Sequence, residues 1–110
     1  MDGDRITVFL ADDNTLVREG VKALLSIEKD IEVVGTAEDY DGLVEGATAA
    51  HPQVVVSDIR MPPNFQDEGI VGSKEVRKRH PGTGIVILSQ YDDPDYAIAL
   101  LEEGAAGYAY

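Results

Sequence analysis

Short apolar runs alternate along this chain with stretches in which apolar side chains return every three or four positions. A run of four to eight β-branched and apolar residues reads as a buried strand, and a period near 3.6 reads as an amphipathic helix. Strands are predicted near 5–11, 32–37, 53–58, 85–89 and 107–110. Between the first two, Leu16, Val17, Gly20, Val21, Leu24 and Leu25 form one stripe with Arg18, Glu19 and Lys22 turned away, and Asn14 or Thr15 caps that helix. A second helix near 41–50 sets Leu43, Val44 and Ala47 inward and stops before Pro52, because a residue preceding proline avoids the helical region. The third, near 68–79, ends in Arg77-Lys78-Arg79-His80 before Pro81-Gly82. The fourth opens at Asp93-Pro94 and closes at Gly104.

Strict alternation of strand and helix predicts a parallel sheet covered on both faces, an α/β doubly wound fold of five strands. Right-handed crossovers reduce the topologies to a few, all with the functional crevice at the carboxyl ends of the strands. The fourth helix carries six consecutive apolar residues, Tyr96 to Leu101, which point all around its axis. One sheet cannot cover them, so a further element or a partner chain is expected on the outer side.

The strand ends carry the candidate chemistry. Asp12-Asp13 closes the first run and Asp58 the third, while Ser89 closes the fourth. If the runs are parallel strands, three carboxylates meet at one sheet edge and repel one another unless a proton or cation is shared. Mg²⁺ takes hard oxygen ligands and keeps room for a phosphate oxygen, and an Asp58 carboxylate can attack phosphorus to form an acyl phosphate. Ser89 would offer a hydroxyl to that phosphoryl group. His51 and His80 each stand at a helix end without a second ligand at metal spacing, so both read as structural.

Composition narrows the partners. Nine Lys and Arg against 21 Asp and Glu give a net charge of −12, which repels nucleic acid. Without cysteine there is neither a disulfide nor a thiolate metal site. An acidic N-terminus and the absence of a long apolar run argue against a signal peptide or membrane span, so a soluble cytoplasmic protein is the expectation. At 110 residues the chain makes one domain.

Over nearly its whole length the chain resembles the receiver domain of two-component response regulators. The resemblance rests on Asp12-Asp13, on Asp58-Ile59-Arg60-Met61-Pro62, on Ser89, and on Gly104-Ala105-Ala106-Gly107-Tyr108. The second and last of these are similar to the NarL/FixJ (LuxR-type) branch. The resemblance implies a flavodoxin-like strand order 2-1-3-4-5, Asp58 as phosphoacceptor, and Mg²⁺ held by Asp12, Asp13, Asp58 and the backbone carbonyl of Arg60. It further implies Ser89 and Tyr108 as switch residues and a sensor histidine kinase as phosphoryl donor. A homodimer and a C-terminal helix-turn-helix output domain in the parent protein are also expected, so that DNA is touched only through that domain. Such a domain is not an enzyme in the ordinary sense, since it catalyses only its own phosphoryl transfer and loss.

Two departures stand out. The family pattern has a lysine shortly after the fifth-strand tyrosine and then a last helix, whereas this sequence stops at Tyr110. The reading is a fragment of a longer parent that continues through that lysine, with a naturally truncated, impaired receiver as the lesser one; because the lysine is missing, a receiver fold that switches by dimerisation without phosphate is the alternative function. The second is the loop from Pro62 to Gly69, about three residues longer than the usual pattern and adjacent to the acidic site, where it can alter kinase choice or phosphate lifetime. Two rivals fit poorly: a haloacid-dehalogenase-type phosphatase wants an acid where Arg60 stands, and a nucleotide carrier wants a glycine-rich turn where Asp12-Asp13 stands.

Overall fold

The computed structural model describes residues 5–88. The predicted fourth helix and fifth strand, with Ser89 and Tyr108, lie outside them. In chain order come β1 (Ile6–Ala11), α1 (Thr15–Ile27), β2 (Ile31–Ala37), α2 (Tyr40–Ala50), β3 (Val54–Asp58), α3 (Glu68–Arg79) and β4 (Gly84–Leu88). The strands lie side by side in the order β2-β1-β3-β4, every pairing parallel. The order changes direction at β1, between β2 and β3, and a parallel sheet opens its crevice at such a switch point.

Period-two alternation divides the apolar residues between the faces. Phe9, Ala11, Val55, Ile85 and Ile87 join Leu43 and Ala47 of α2, Ile70 and Val76 of α3, and Ile59 and Met61 in the larger cluster. On the other face Val8, Leu10 and Val56 meet Val21 and Leu25 of α1. Sequence patterning anticipated every one of these elements, and apart from α1, for which it set only the start, their ends to within a residue or two.

The face of α1 is a correction. None of its residues is buried, and Leu16, Leu24 and Ile27 are 84, 67 and 74 % exposed. A helix touches a sheet along a narrow line of residues four apart, and here that line is Val17, Val21 and Leu25; the remaining apolar positions are rotated off it. Arg18 does not face away either: its side chain is only 13 % exposed and lies against the end of β1.

Caps explain the helix starts. Asn14 accepts the Val17 N–H at 3.0 Å, and Asp39 accepts the Gly42 N–H at 2.7 Å. At the opposite edge His51 ends α2 in the left-handed region (φ 50°), and its ring stacks on His80 with centroids 3.8 Å apart. With His80 Nε2 lying 3.3 Å from the Thr48 carbonyl, the two histidines tie the ends of α2 and α3 together.

Candidate functional site

β1 and β3 are neighbours in register, Leu10 opposite Val56 and Ala11 opposite Ser57, so they end at the same level of the sheet. Asp12 follows the end of β1 and Asp58 is the last residue of β3. After Asp12 the chain turns, with its Oδ1 accepting the Asn14 N–H at 2.9 Å while its own N–H donates to the Ala37 carbonyl at 3.0 Å. This turn lets Asp13 approach from the same side. Asp12 is buried, Asp13 and Asp58 are partly so, and one carboxylate oxygen from each lies within 4.8 Å of the others.

Asp58 is held from both sides. Its Oδ1 accepts the Ile59 N–H at 2.8 Å, and the buried Ser57 hydroxyl donates to its carbonyl at 2.8 Å. Gly69, on the first turn of α3, packs directly on that carbonyl: a β-carbon there would fall 1.6 Å from the oxygen. The Gly69 N–H donates to the Ile59 carbonyl at 2.8 Å, stitching the start of α3 to the residue after Asp58.

Crowding and burial shape the electrostatics. Burial raises the Asp58 pKa from 3.8 to about 6, with the Asp12 and Asp13 charges adding to the rise and the Ile59 N–H and the Arg60 charge opposing it. Burial likewise raises Asp12, opposed by the Asn14 N–H, with Asp13 raising it further and Arg18 lowering it. Negative oxygens are thus assembled where ionising all of them is costly, the condition a divalent cation relieves. Hard carboxylate donors at this spacing suit Mg²⁺ with remaining positions left for water or a phosphate oxygen.

Two contributors, Arg18 and Glu68, escaped sequence reading. Arg18 donates from Nη1 to the Asp12 carbonyl at 2.8 Å and stands 3.9 Å from Glu38, bracing the turn that carries Asp12 and Asp13. Arginine at a helix position reads as solvated, and only packing reveals this use.

The long loop after Arg60 is built around Glu68. Its buried carboxylate accepts the Asn64 N–H at 2.7 Å through Oε2 and the Gln66 N–H at 2.8 Å through Oε1. Burial alone would raise its pKa, but the N–H groups of Gln66, Asn64, Glu68 itself and Met61 prevail and lower it from 4.5. The Phe65 N–H donates to the Met61 carbonyl at 3.0 Å, and the Tyr40 N–H to the Pro62 carbonyl at 3.1 Å. Phe65 occupies the left-handed region at φ 53°, a conformation costing roughly 1–3 kcal/mol for such a residue.

Glu68→Gln is expected to destabilise the domain by about 1 kcal/mol in urea denaturation, since a carboxamide offers one acceptor oxygen where two part-buried N–H groups need partners. The sign with pH follows from the lowered pKa. Glu68 stabilises the fold above its ordinary value of 4.5, and that contribution is lost as pH falls further. The Glu68→Gln variant, having no charge to lose at this position, will show less acid destabilisation in the same measurement.

A four-stranded parallel sheet with a switch point, and three carboxylates gathered at its carboxyl edge, define a doubly wound α/β class. The chain belongs to the response regulator receiver domain family, whose pattern matches residues 8–109. It is 35 % identical over 105 residues to the transcriptional regulatory protein DegU of Brevibacillus brevis, covering 96 % of this chain and 43 % of DegU. It is also 35 % identical over 101 residues to the oxygen regulatory protein NreC of Staphylococcus carnosus, covering 92 and 46 % of the two chains. The chain therefore spans about half the length of these curated relatives.

Among solved structures it matches the signal receiver domain of the response regulator NarL from Mycobacterium tuberculosis. The TM-score is 0.83 at 33 % identity, covering 96 % of this chain and 82 % of that one. The isolated receiver domain of RcsB from Salmonella enterica, determined with the phosphomimetic BeF₃⁻, gives 0.82 at 26 % identity, covering 96 and 76 %. These relatives place the chain in the NarL/FixJ branch.

Proposed function

We propose that this chain is a phosphorylation-activated switch, taking a phosphoryl group from a sensor histidine kinase onto Asp58. The observation that supports it most is the convergence of Asp12, Asp13 and Asp58 oxygens within 4.8 Å at the sheet's switch point. In the transfer, an Asp58 carboxylate oxygen attacks phosphorus, a P–O bond forms, the P–N bond to the donor imidazole breaks, and the imidazole recovers a proton. Only the ionised carboxylate can attack. With its pKa near 6, most Asp58 is ionised at neutral pH.

Asp12, Asp13, Asp58 and the Arg60 carbonyl are the groups to hold Mg²⁺, which when bound neutralises charge on the transferring group. The acyl phosphate adds about −1.5 to −2 charges at this edge. Ser89 and Tyr108 then act as the switch residues that respond to it, and the output is self-association. In the parent protein a helix-turn-helix domain converts that association into transcriptional control in the cytoplasm. Among the described residues, no helix is long and apolar enough to cross a membrane.

The test is incubation with acetyl phosphate and Mg²⁺, read by intact mass. One added phosphoryl group is expected, and it should vanish when EDTA replaces the metal. An unchanged mass with Mg²⁺ present overturns the proposal.

Metal linkage gives a further expectation. The raised Asp58 pKa means that the metal-free fold is favoured by protonation: stability is present at low pH and is lost as pH rises from 3.8 through about 6. Mg²⁺ acts oppositely, because it binds the ionised site. At ten times its dissociation constant it is expected to stabilise by about 1.4 kcal/mol near neutral pH. Below pH 6 the gain should shrink. Differential scanning calorimetry with and without MgCl₂ checks this, and a gain independent of pH counts against the site.

A further inference from the structure

An aromatic side chain is held outside the core on the loop that leaves the acidic site after Arg60, and several interactions hold it there. Phe65 is 53 % exposed. Its backbone sits at φ 53°, where an L side chain is disfavoured. Three sets of contacts enforce the position: its own N–H to the Met61 carbonyl, the Tyr40 N–H to the Pro62 carbonyl, and both Glu68 oxygens on the flanking Asn64 and Gln66 N–H groups. A loop that merely joined β3 to α3 would need none of them.

The loop also returns to where it began. It leaves two residues after Asp58, and its far end at Gly69 rests on the Asp58 carbonyl and bonds to that of Ile59. Phe65 shares an open hollow with Arg60, which follows Asp58 by two residues, and with Gln66 and Asp67, so an apolar ring stands among polar and charged groups. A protein that presents a phosphohistidine to Asp58 comes up against this loop, which starts and ends beside that residue, whereas a small phosphoryl donor need not touch it. Rigid aromatic side chains offer large contact area at low entropic cost, and such residues dominate binding energy at protein interfaces.

We propose that Phe65 is an apolar anchor by which this chain is recognised by its phosphohistidine-bearing donor protein, which would carry a complementary apolar recess beside its histidine. The proposal rests on Asp58 as acceptor. It assigns the extended loop to choice of donor and not to the lifetime of the acyl phosphate.

The test compares wild type, Phe65→Gly and Phe65→Leu. Donors are acetyl phosphate and soluble transmitter domains of the source organism's sensor histidine kinases, autophosphorylated with labelled ATP. Phe65→Gly is expected to fold as well as wild type or better, because glycine accepts the left-handed backbone freely. Transfer from the transmitter that serves the wild type should slow by about tenfold or more in Phe65→Gly and recover largely in Phe65→Leu. Uptake from acetyl phosphate and the subsequent loss of label should stay within about twofold of wild type, since neither involves the interface.

Undiminished transfer from that transmitter overturns the anchor, as does a parallel loss with acetyl phosphate. A wild type that accepts from acetyl phosphate but from no transmitter also overturns it while leaving Asp58 as acceptor. A wild type that accepts from neither overturns the reading beneath it.

Discussion

Asp58→Asn is expected to abolish phosphoryl uptake altogether while leaving the fold more stable. A carboxamide oxygen is not a nucleophile toward phosphorus at neutral pH, so intact mass after incubation with acetyl phosphate and Mg²⁺ should show no adduct. The geometry around position 58 should nevertheless persist. An asparagine Oδ1 can still accept the Ile59 N–H, and the Ser57 hydroxyl still donates to the main-chain carbonyl. What changes is charge. The carboxylate that burial, Asp12 and Asp13 make costly to ionise is gone. Metal-free protein near neutral pH should therefore gain stability on the order of 1 kcal/mol, a figure reduced for solvent screening of a partly exposed group. The gain should disappear as pH falls below 6, because wild-type Asp58 is then protonated as well. An adduct on the variant would move the acceptor to another residue. Loss of uptake together with loss of stability would instead make Asp58 a structural group.

The second large effect is expected at Gly69, which touches no phosphate and carries no side chain. A methyl group there would meet the Asp58 carbonyl oxygen at 1.6 Å, its carbon at 2.7 Å and the Ser57 hydroxyl at 2.8 Å. The first two are main-chain atoms of a central strand and cannot step aside alone. Relief must come from moving the start of α3, which breaks its bond to the Ile59 carbonyl, or from moving Asp58. Gly69→Ala should cost at least the roughly 1–3 kcal/mol of ordinary overpacking. That lowers the melting temperature by about 4–8 °C per kcal/mol in a domain near this size. Uptake from acetyl phosphate should slow by up to about 10²-fold if Asp58 shifts by about 1 Å. Gly20→Ala is the control. Nothing lies within 4 Å of a β-carbon at that helical position, so it should stabilise by about 0.5–1 kcal/mol and leave uptake alone. Equal behaviour of the two alanine variants would remove Gly69 from the site.

These effects divide by how far each was legible along the chain. The Asp58 result follows from local pattern, since a carboxylate closing a β-branched run such as Val54-Val55-Val56-Ser57 stands at a strand's carboxyl end wherever that strand lies. Gly69 was visible only as the end of a long loop. Its contact with the Asp58 carbonyl depends on how α3 docks, and no spacing encodes that. Arg18 was misplaced for a related reason: helical periodicity assigns faces relative to an axis, but the rotation of α1 on the sheet is set by packing. That rotation left Leu16 and Leu24 in solvent and laid Arg18 against Asp12. Glu68 stands in the first turn of its helix, where an acid needs no special explanation. Its neighbours fold back so that their N–H groups surround it, and the loop that composition marks as irregular is internally bonded.

What the amino-acid order determines by itself is local and periodic: which segments are strands and helices, where caps and prolines stop them, and that acids stand at the carboxyl ends of the first and third strands. These depend on side chains within a few positions of one another, and pattern records them directly. Tertiary structure alone decides that β1 lies beside β3 in matching register, which brings Asp12 and Asp13 to Asp58 across the long stretch of chain between them. It also decides that Gly69 closes on Asp58 and that Phe65, in the loop between them, is held outward. The physical reason is common to all three. Each is fixed by how separate segments settle against one another, selected by the global minimum of packing and hydrogen bonding rather than by any local preference.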